Sequence, residues 1–251
     1  MDKVIYESDV ILEVIDARMP NLTRNEKLEN HIRRKRKFLI LVMNKSDLIT
    51  EKMRMNFLRR FKSKEVIFVS CKDRKGIPTL KKMIFELAKR IRYRDYIRIG
   101  VIGYPNTGKS SVINALVGFK EVAKTSPIAG FTTGIQWIRG KGNIMFSDTP
   151  GVIPSDEKDE AEQALMSIID PNKLANPDLA AMRIIQLFLD YNKMGLKKFY
   201  DVRMETDDTL EILLEIGKRK NFIRKGGKVD EARTAFAIIR DWQRGKLLLN
   251  F

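Results

Sequence analysis

Short apolar runs rich in β-branched residues recur through the first hundred positions, at 10–15, 38–43, 66–69 and 97–102. Each is too short for a buried helix, so they predict buried strands. Between the last two, residues 78–91 place Leu80, Ile84, Leu87, Ala88 and Ile91 on one helical face. Alternating strand and helix predict a parallel, doubly wound α/β sheet. Two further strands, 134–139 and 143–147, flank Gly140-Lys141-Gly142, a hairpin signal.

After about Asp170 the pattern turns helical. One helix is predicted from Asn176, with Pro177 at the first helical position and an amphipathic stretch over 179–191. Others are predicted at 208–220 and, after the Gly226-Gly227 turn, at 231–246. The expected organisation is an α/β domain over 1–170 followed by a small all-α domain over 171–251.

Composition narrows the setting. The longest purely apolar run, 38–43, is far short of the roughly 20 residues that span a bilayer, and the N-terminus lacks a secretory-signal layout. With one cysteine, Cys71, no intrachain disulfide and no Cys-rich zinc cluster can form. A cytoplasmic protein without membrane contact is expected. The 48 Lys+Arg against 32 Asp+Glu leave +16, which favours a polyanionic partner, nucleic acid above all.

Gly103-Tyr104-Pro105-Asn106-Thr107-Gly108-Lys109-Ser110 has the form GxxxxGK[ST] and lies between the strand at 97–102 and a helix at 111–117. Its backbone N–H groups and the helix N-terminus, including Ser111, suit phosphates. Lys109 would reach the β- and γ-phosphates, and Ser110 would offer its hydroxyl to Mg2+. Chance supplies such a pattern in roughly one chain in a hundred of this size, so the motif with its correct context argues for a nucleotide.

Asn44-Lys45-Ser46-Asp47 follows the strand at 38–43 in the form NKxD. The Asp47 carboxylate can accept from guanine's ring N–H and exocyclic amine, a pairing adenine lacks. Lys45 can lay its stem on the base, and Asn44 can tie the box to neighbouring loops. Ser70-Cys71-Lys72, also after a strand, resembles the second guanine loop of GTPases. Cys71 then reads as a small residue near the base rather than a reactive thiol. Asp148-Thr149-Pro150-Gly151 has the DxxG form, Asp148 serving Mg2+ through water and the Gly151 N–H sensing the γ-phosphate. Between them, Pro127-Ile128-Ala129-Gly130-Phe131-Thr132-Thr133 offers a threonine to Mg2+ and the γ-phosphate, Thr132 in preference to Thr133.

The order of these boxes is base, second base, phosphate, switch, DxxG, whereas ordinary GTPases begin with the phosphate loop. A circular permutation is expected, with residues 92–96 joining the old termini. This order, with Asp16-Ala17-Arg18-Met19-Pro20 after the first strand, resembles the circularly permuted GTPases of the YlqF/RbgA type, which assist large ribosomal subunit assembly. The likeness includes Ile216-Gly217-Lys218-Arg219-Lys220, Gly226-Gly227 and Ile239-Arg240-Asp241, similar to that family's helical RNA-binding tail.

The resemblance implies a P-loop GTPase that hydrolyses GTP to GDP with slow intrinsic turnover, contacting rRNA and large-subunit precursors; the oligomeric state is left open, with a monomer favoured. Asn106 matches the asparagine that helps hold K+ in potassium-activated GTPases, so Asn106, Lys109 and Thr132 are the implied catalytic residues. Val152 stands where signalling GTPases often carry a water-orienting glutamine, which leaves a GTP-gated binding module with little hydrolysis as the alternative. For the basic tail, and for Arg33-Arg34-Lys35-Arg36-Lys37, RNA contact and a solvated helix face are equal readings. A membrane GTPase lacks an anchor motif here, and the small-subunit branch of permuted GTPases would need an N-terminal domain and zinc ligands.

Overall fold

The computed structural model describes residues 2–61, 65–91, 95–118, 136–140, 142–148 and 159–249. The chain divides into two compact units, one of Met1–Asp47 with Phe57–Pro154, the other of Leu48–Asn56 with Ser155–Phe251.

In the first unit, α1 (Asp2–Glu7) leads into β1 (Val10–Asp16), α2 (Pro20–Thr23), α3 (Glu26–Arg34) and β2 (Phe38–Asn44). Helix α4 (Glu51–Arg60) starts among second-unit residues and precedes β3 (Val66–Phe68), α5 (Ile77–Arg90), β4 (Ile97–Ile102) and α6 (Lys109–Val117). The hairpin β5 (Gln136–Arg139) and β6 (Ile144–Asp148) completes a sheet ordered β3-β2-β1-β4-β6-β5. All neighbours pair in parallel except β5 with β6. The expected strands are all present, and the sheet is α/β as predicted; positions 134 and 135 of the hairpin lie outside the described residues.

One face of the sheet, carrying Val10, Leu12, Val14, Ile40, Val42 and Ile99, packs with Leu80 and Ile84 of α5 and Val112 and Leu116 of α6. Helices on the other face bury Ile5, Leu28 and Ile32. Every residue of β1 is buried, as expected for a strand covered on both sides. That makes its two acids, Glu13 and Asp16, conspicuous. The short helices α1, α3 and α4 have no counterpart in the periodicity. Helix α3 buries only Leu28, Glu29 and Ile32 in a chain segment otherwise dominated by charge, so its apolar stripe is too narrow to stand out.

The second unit is helical in its described residues: α7 (Glu160–Leu165), α8 (Pro177–Tyr191), α9 (Lys193–Tyr200), α10 (Thr209–Arg219) and α11 (Glu231–Gln243). Aspartates start three of them: Asp159 accepts from Glu162 N–H, Asp208 from Leu210 and Glu211 N–H, and Asp230 from Arg233 N–H. The core centres on Trp242, whose ring meets Phe188 edge-on at 6.2 Å and whose indole N–H donates to Leu165 O at 2.9 Å. Helices α7 and α9 escape the sequence pattern because each is eight residues or fewer.

Candidate nucleotide site

The sheet order brings the carboxyl ends of β2, β1, β4 and β6 side by side. From β1 the chain proceeds to β2 on one side, and from β4 it proceeds to the β5–β6 hairpin on the other. The gap between β1 and β4 is thus the point where the winding reverses, the place where open α/β sheets form ligand crevices.

Gly103 leaves β4 at φ +147°, and a Cβ there would sit 2.4 Å from Val14 O. Asn106 follows in a left-handed conformation at φ +60°, and Gly108 at φ +95° caps α6. The loop curls tightly enough for Thr107 Oγ1 to donate to Tyr104 O at 2.9 Å. The buried Lys109 ammonium turns back into it, donating to Gly103 O at 3.0 Å and Tyr104 O at 2.8 Å. Ser110 and Ser111 are exposed in the first turn of α6. No side chain caps that helix, which leaves its N-terminal end suited to an anion.

The segment 44–47 reaches this loop directly. Asn44, 3% exposed, donates from Nδ2 to Thr107 O at 2.9 Å across 63 residues of sequence. A Cβ on Gly108 would lie 2.2 Å from that same Nδ2. Asn44 Oδ1 is buried without a hydrogen-bond partner. Lys45 takes a left-handed backbone at φ +62° and donates from Nζ to Asp16 Oδ2 at 2.7 Å. Asp47 lies half-buried in a single 3-10 turn, Ser46–Leu48, whose first N–H donates to Val69 O at 3.1 Å.

The second loop follows β3. Ser70 is buried, its N–H donating to Lys75 O and its Oγ accepting from Asp73 N–H, both at 3.0 Å. Cys71 is half-buried and Lys72 exposed. Burial, with the Asp47 charge adding to it, pushes the Cys71 thiol up to about 11. A thiol so rarely ionised at neutral pH is a poor nucleophile. Asp148 ends β6 opposite Val101 of β4. Thr132 and the remainder of the DxxG box, with Gly151, lie outside the described residues.

The structure adds one group to the predicted set. Asp16 and Arg18, noted in the sequence only as part of a family resemblance, form a buried ion pair at 2.8 Å against Lys45. Burial alone would raise the Asp16 pKa, but Arg18 and Lys45 more than offset it and hold the carboxylate well below its usual range. Burial lowers the Lys45 pKa, and Asp16 counters part of that. The signal available beforehand was an acid and an arginine directly after an apolar strand.

Known proteins resemble this chain in sequence and in fold. Residues 98–218 match the family described as 50S ribosome-binding GTPase. The chain is 40% identical over 247 residues to an uncharacterized GTP-binding protein of Methanocaldococcus jannaschii, covering 98% of this chain and 65% of that one. It is 34% identical over 251 residues to nuclear/nucleolar GTPase 2 of Oryza sativa subsp. japonica, covering 98% and 46%. The chain thus spans about half to two thirds of the length of these curated relatives. A GDP-bound YlqF structure superposes with a TM-score of 0.65 at 21% identity, over 98% of this chain and 95% of that one. GNP-bound YlqF from T. maritima gives 0.62 at 20%, over 99% and 93%. Sheet and superposition give the chain a mixed α/β fold like that of the YlqF structures, with a P-loop GTPase domain.

Proposed function

We propose that the chain binds GTP at the β1–β4 crevice, hydrolyses it to GDP and phosphate, and serves as an assembly factor that contacts rRNA on large ribosomal subunit precursors. The observation that carries the nucleotide reading is the Asn44–Thr107 hydrogen bond, which joins the base-reading box to the phosphate loop in one site. Asn44, Lys45 and Asp47 with Ser70, Cys71 and Lys72 hold the base; residues 105–111 hold the phosphates. Gly103 and Gly108 sit where a Cβ would collide, which keeps the loop's curled backbone close to its neighbours. On this reading Lys109 exchanges its two carbonyl partners for phosphate oxygens. Each step away from carbonyl dipoles toward full negative charge favours the bound state.

The hydroxyl and carboxylate donors Ser110, Thr132 and Asp148 suit a hard divalent cation, and the Asn106 amide oxygen suits a monovalent one. Mg2+ and K+ would there supply positive charge for the phosphates. The assembly role draws on the net charge of +16 and on relatives whose names include 50S ribosome-binding and nucleolar GTPases. We place RNA contact on the helical part, residues 171–251, after a GTPase domain over 1–170, in a monomer working in the cytoplasm. Among the described residues no helix is long and apolar enough to cross a membrane.

A GTP-gated binding module with little hydrolysis is the second reading, favoured by Val152 after the DxxG box. GTP hydrolysis in KCl and NaCl, with and without purified large ribosomal subunits, separates the two. Turnover that needs both K+ and subunits supports the assembly factor and the role of Asn106. Tight GTP binding with no turnover in any condition supports the gated module.

A further inference from the structure

Asp16-Ala17-Arg18 ends β1 with two charges that the nucleotide reading leaves without a task. Both residues are 2% exposed. Asp16 Oδ1 accepts from Arg18 Nε at 3.1 Å and from Arg18 N–H at 3.0 Å. Its Oδ2 accepts from Arg18 Nη2 at 2.8 Å and from Lys45 Nζ at 2.7 Å. Buried ions are unfavourable unless the geometry compensates, and here each carboxylate oxygen accepts two hydrogen bonds. The loop is itself fixed, because Asp16 N–H donates to Thr23 Oγ1 at 3.0 Å and Met19 N–H to Asp16 O at 3.1 Å.

The same loop grips the first two residues of the Asn44–Asp47 box. Ala17 N–H donates to Asn44 O at 2.8 Å, and the Asp16 carboxylate holds the Lys45 ammonium. Left to itself, Lys45 has two reasons to wander. Its left-handed backbone is disfavoured for an L-residue and persists only where the surroundings impose it. Its long side chain also has large rotamer freedom, whose loss would otherwise be charged against binding.

We propose that Asp16, braced by Arg18, is a positioning residue for guanine recognition. It acts through Lys45, fixing that stem in place before a purine lies against it. This rests on reading Asn44 to Asp47 as the guanine box.

The test is a double-mutant cycle on fluorescent GDP binding with the full chain: Asp16→Asn, Lys45→Met and both together. Each single change weakens binding about tenfold, and the double variant stays within about twofold of Lys45→Met alone, because Asp16 has nothing left to position. Losses that multiply overturn the proposal. Should Asp16→Asn not fold, Asp16→Asn with Arg18→Met takes its place in the cycle, since it leaves no uncompensated buried arginine. Independently of nucleotide, acylation of Lys45 followed by mass spectrometry runs about tenfold faster in the Asp16 variant, the amine having left its carboxylate; an unchanged rate overturns the anchor. If the wild-type chain binds no GDP, the nucleotide reading itself fails. Binding by the wild type with multiplicative variant losses sinks only this inference.

Discussion

Glu13 and Asp16 lie three residues apart on β1, both buried, and the protein treats them in opposite ways. Asp16, at the strand's carboxyl end, has an arginine and a lysine on its two oxygens and stays ionised far into acid. Glu13, in the middle of the strand, has one N–H, from Asn25 at 2.8 Å on Oε1, and its Oε2 has no hydrogen-bond partner. Desolvation, with Glu29 adding its charge, pushes the Glu13 pKa up to about 8, so the group is mostly protonated at neutral pH. Nearby Glu29 takes the Arg24 guanidinium, through Nη2 at 2.9 Å and through Nε. The contrast separates two states of a buried carboxyl: a fixed charge paired with an arginine and a lysine, and a neutral acid where the sheet closes over α3.

The largest effect should come from removing the fixed charge. Asp16→Asn leaves the buried Arg18 and the half-buried Lys45 without their counter-ion and should cost about 3 kcal/mol in urea unfolding, whereas Glu13→Gln should cost less than about 1 kcal/mol because the native group is already neutral. Equal costs would erase the distinction. Next, Gly108→Ala should weaken GDP binding about a hundredfold, since its Cβ would meet Asn44 Nδ2 and the backbone there sits at φ +95°. A normal affinity would mean that the Asn44–Thr107 link is dispensable.

A pH series sharpens the comparison further. Glu13 is raised from 4.5 to about 8, so the folded state holds a proton that the unfolded chain has lost. The stability it contributes is complete below about pH 4.5 and drains away as pH rises toward 8. The melting temperature should fall across that window, and Glu13→Gln should flatten the slope. Asp16 has the reverse sign: its contribution is full above its ordinary value of 3.8 and disappears only in stronger acid. The smallest effect is expected at Cys71. Its Ala variant should keep GDP affinity within about threefold, and maleimide labelling should accelerate with pH toward the thiol's pKa of about 11.

Much of this was legible in the residues. The sheet could be read because strands covered on both faces leave unbroken apolar runs; the proposed guanine and phosphate boxes stand out because hydrogen bonding to a particular base or to phosphates would restrict residue types at fixed spacing. The buried acids were hidden in plain view: Glu13 interrupts Val10–Asp16 without breaking its strand character, and nothing in one dimension says that Arg18 and Lys45 converge on one carboxylate. The short helices were missed because their stability comes from packing a few residues, Leu28 and Ile32 in α3 for example, and not from a long amphipathic stripe. Thr132 and Gly151 stay where the sequence put them, as proposals.

The proposed site selects guanine through Asp47 while Asn44 holds its phosphate loop. Displacement of fluorescent GDP by unlabelled GDP, ADP and xanthosine diphosphate tests it. The account predicts that GDP competes, that ADP does not within about a thousandfold excess, and that Asp47→Asn, whose amide donates where the carboxylate accepted, shifts preference to xanthosine diphosphate. Equal competition by ADP, or an Asp47→Asn variant with unaltered base preference, would contradict it.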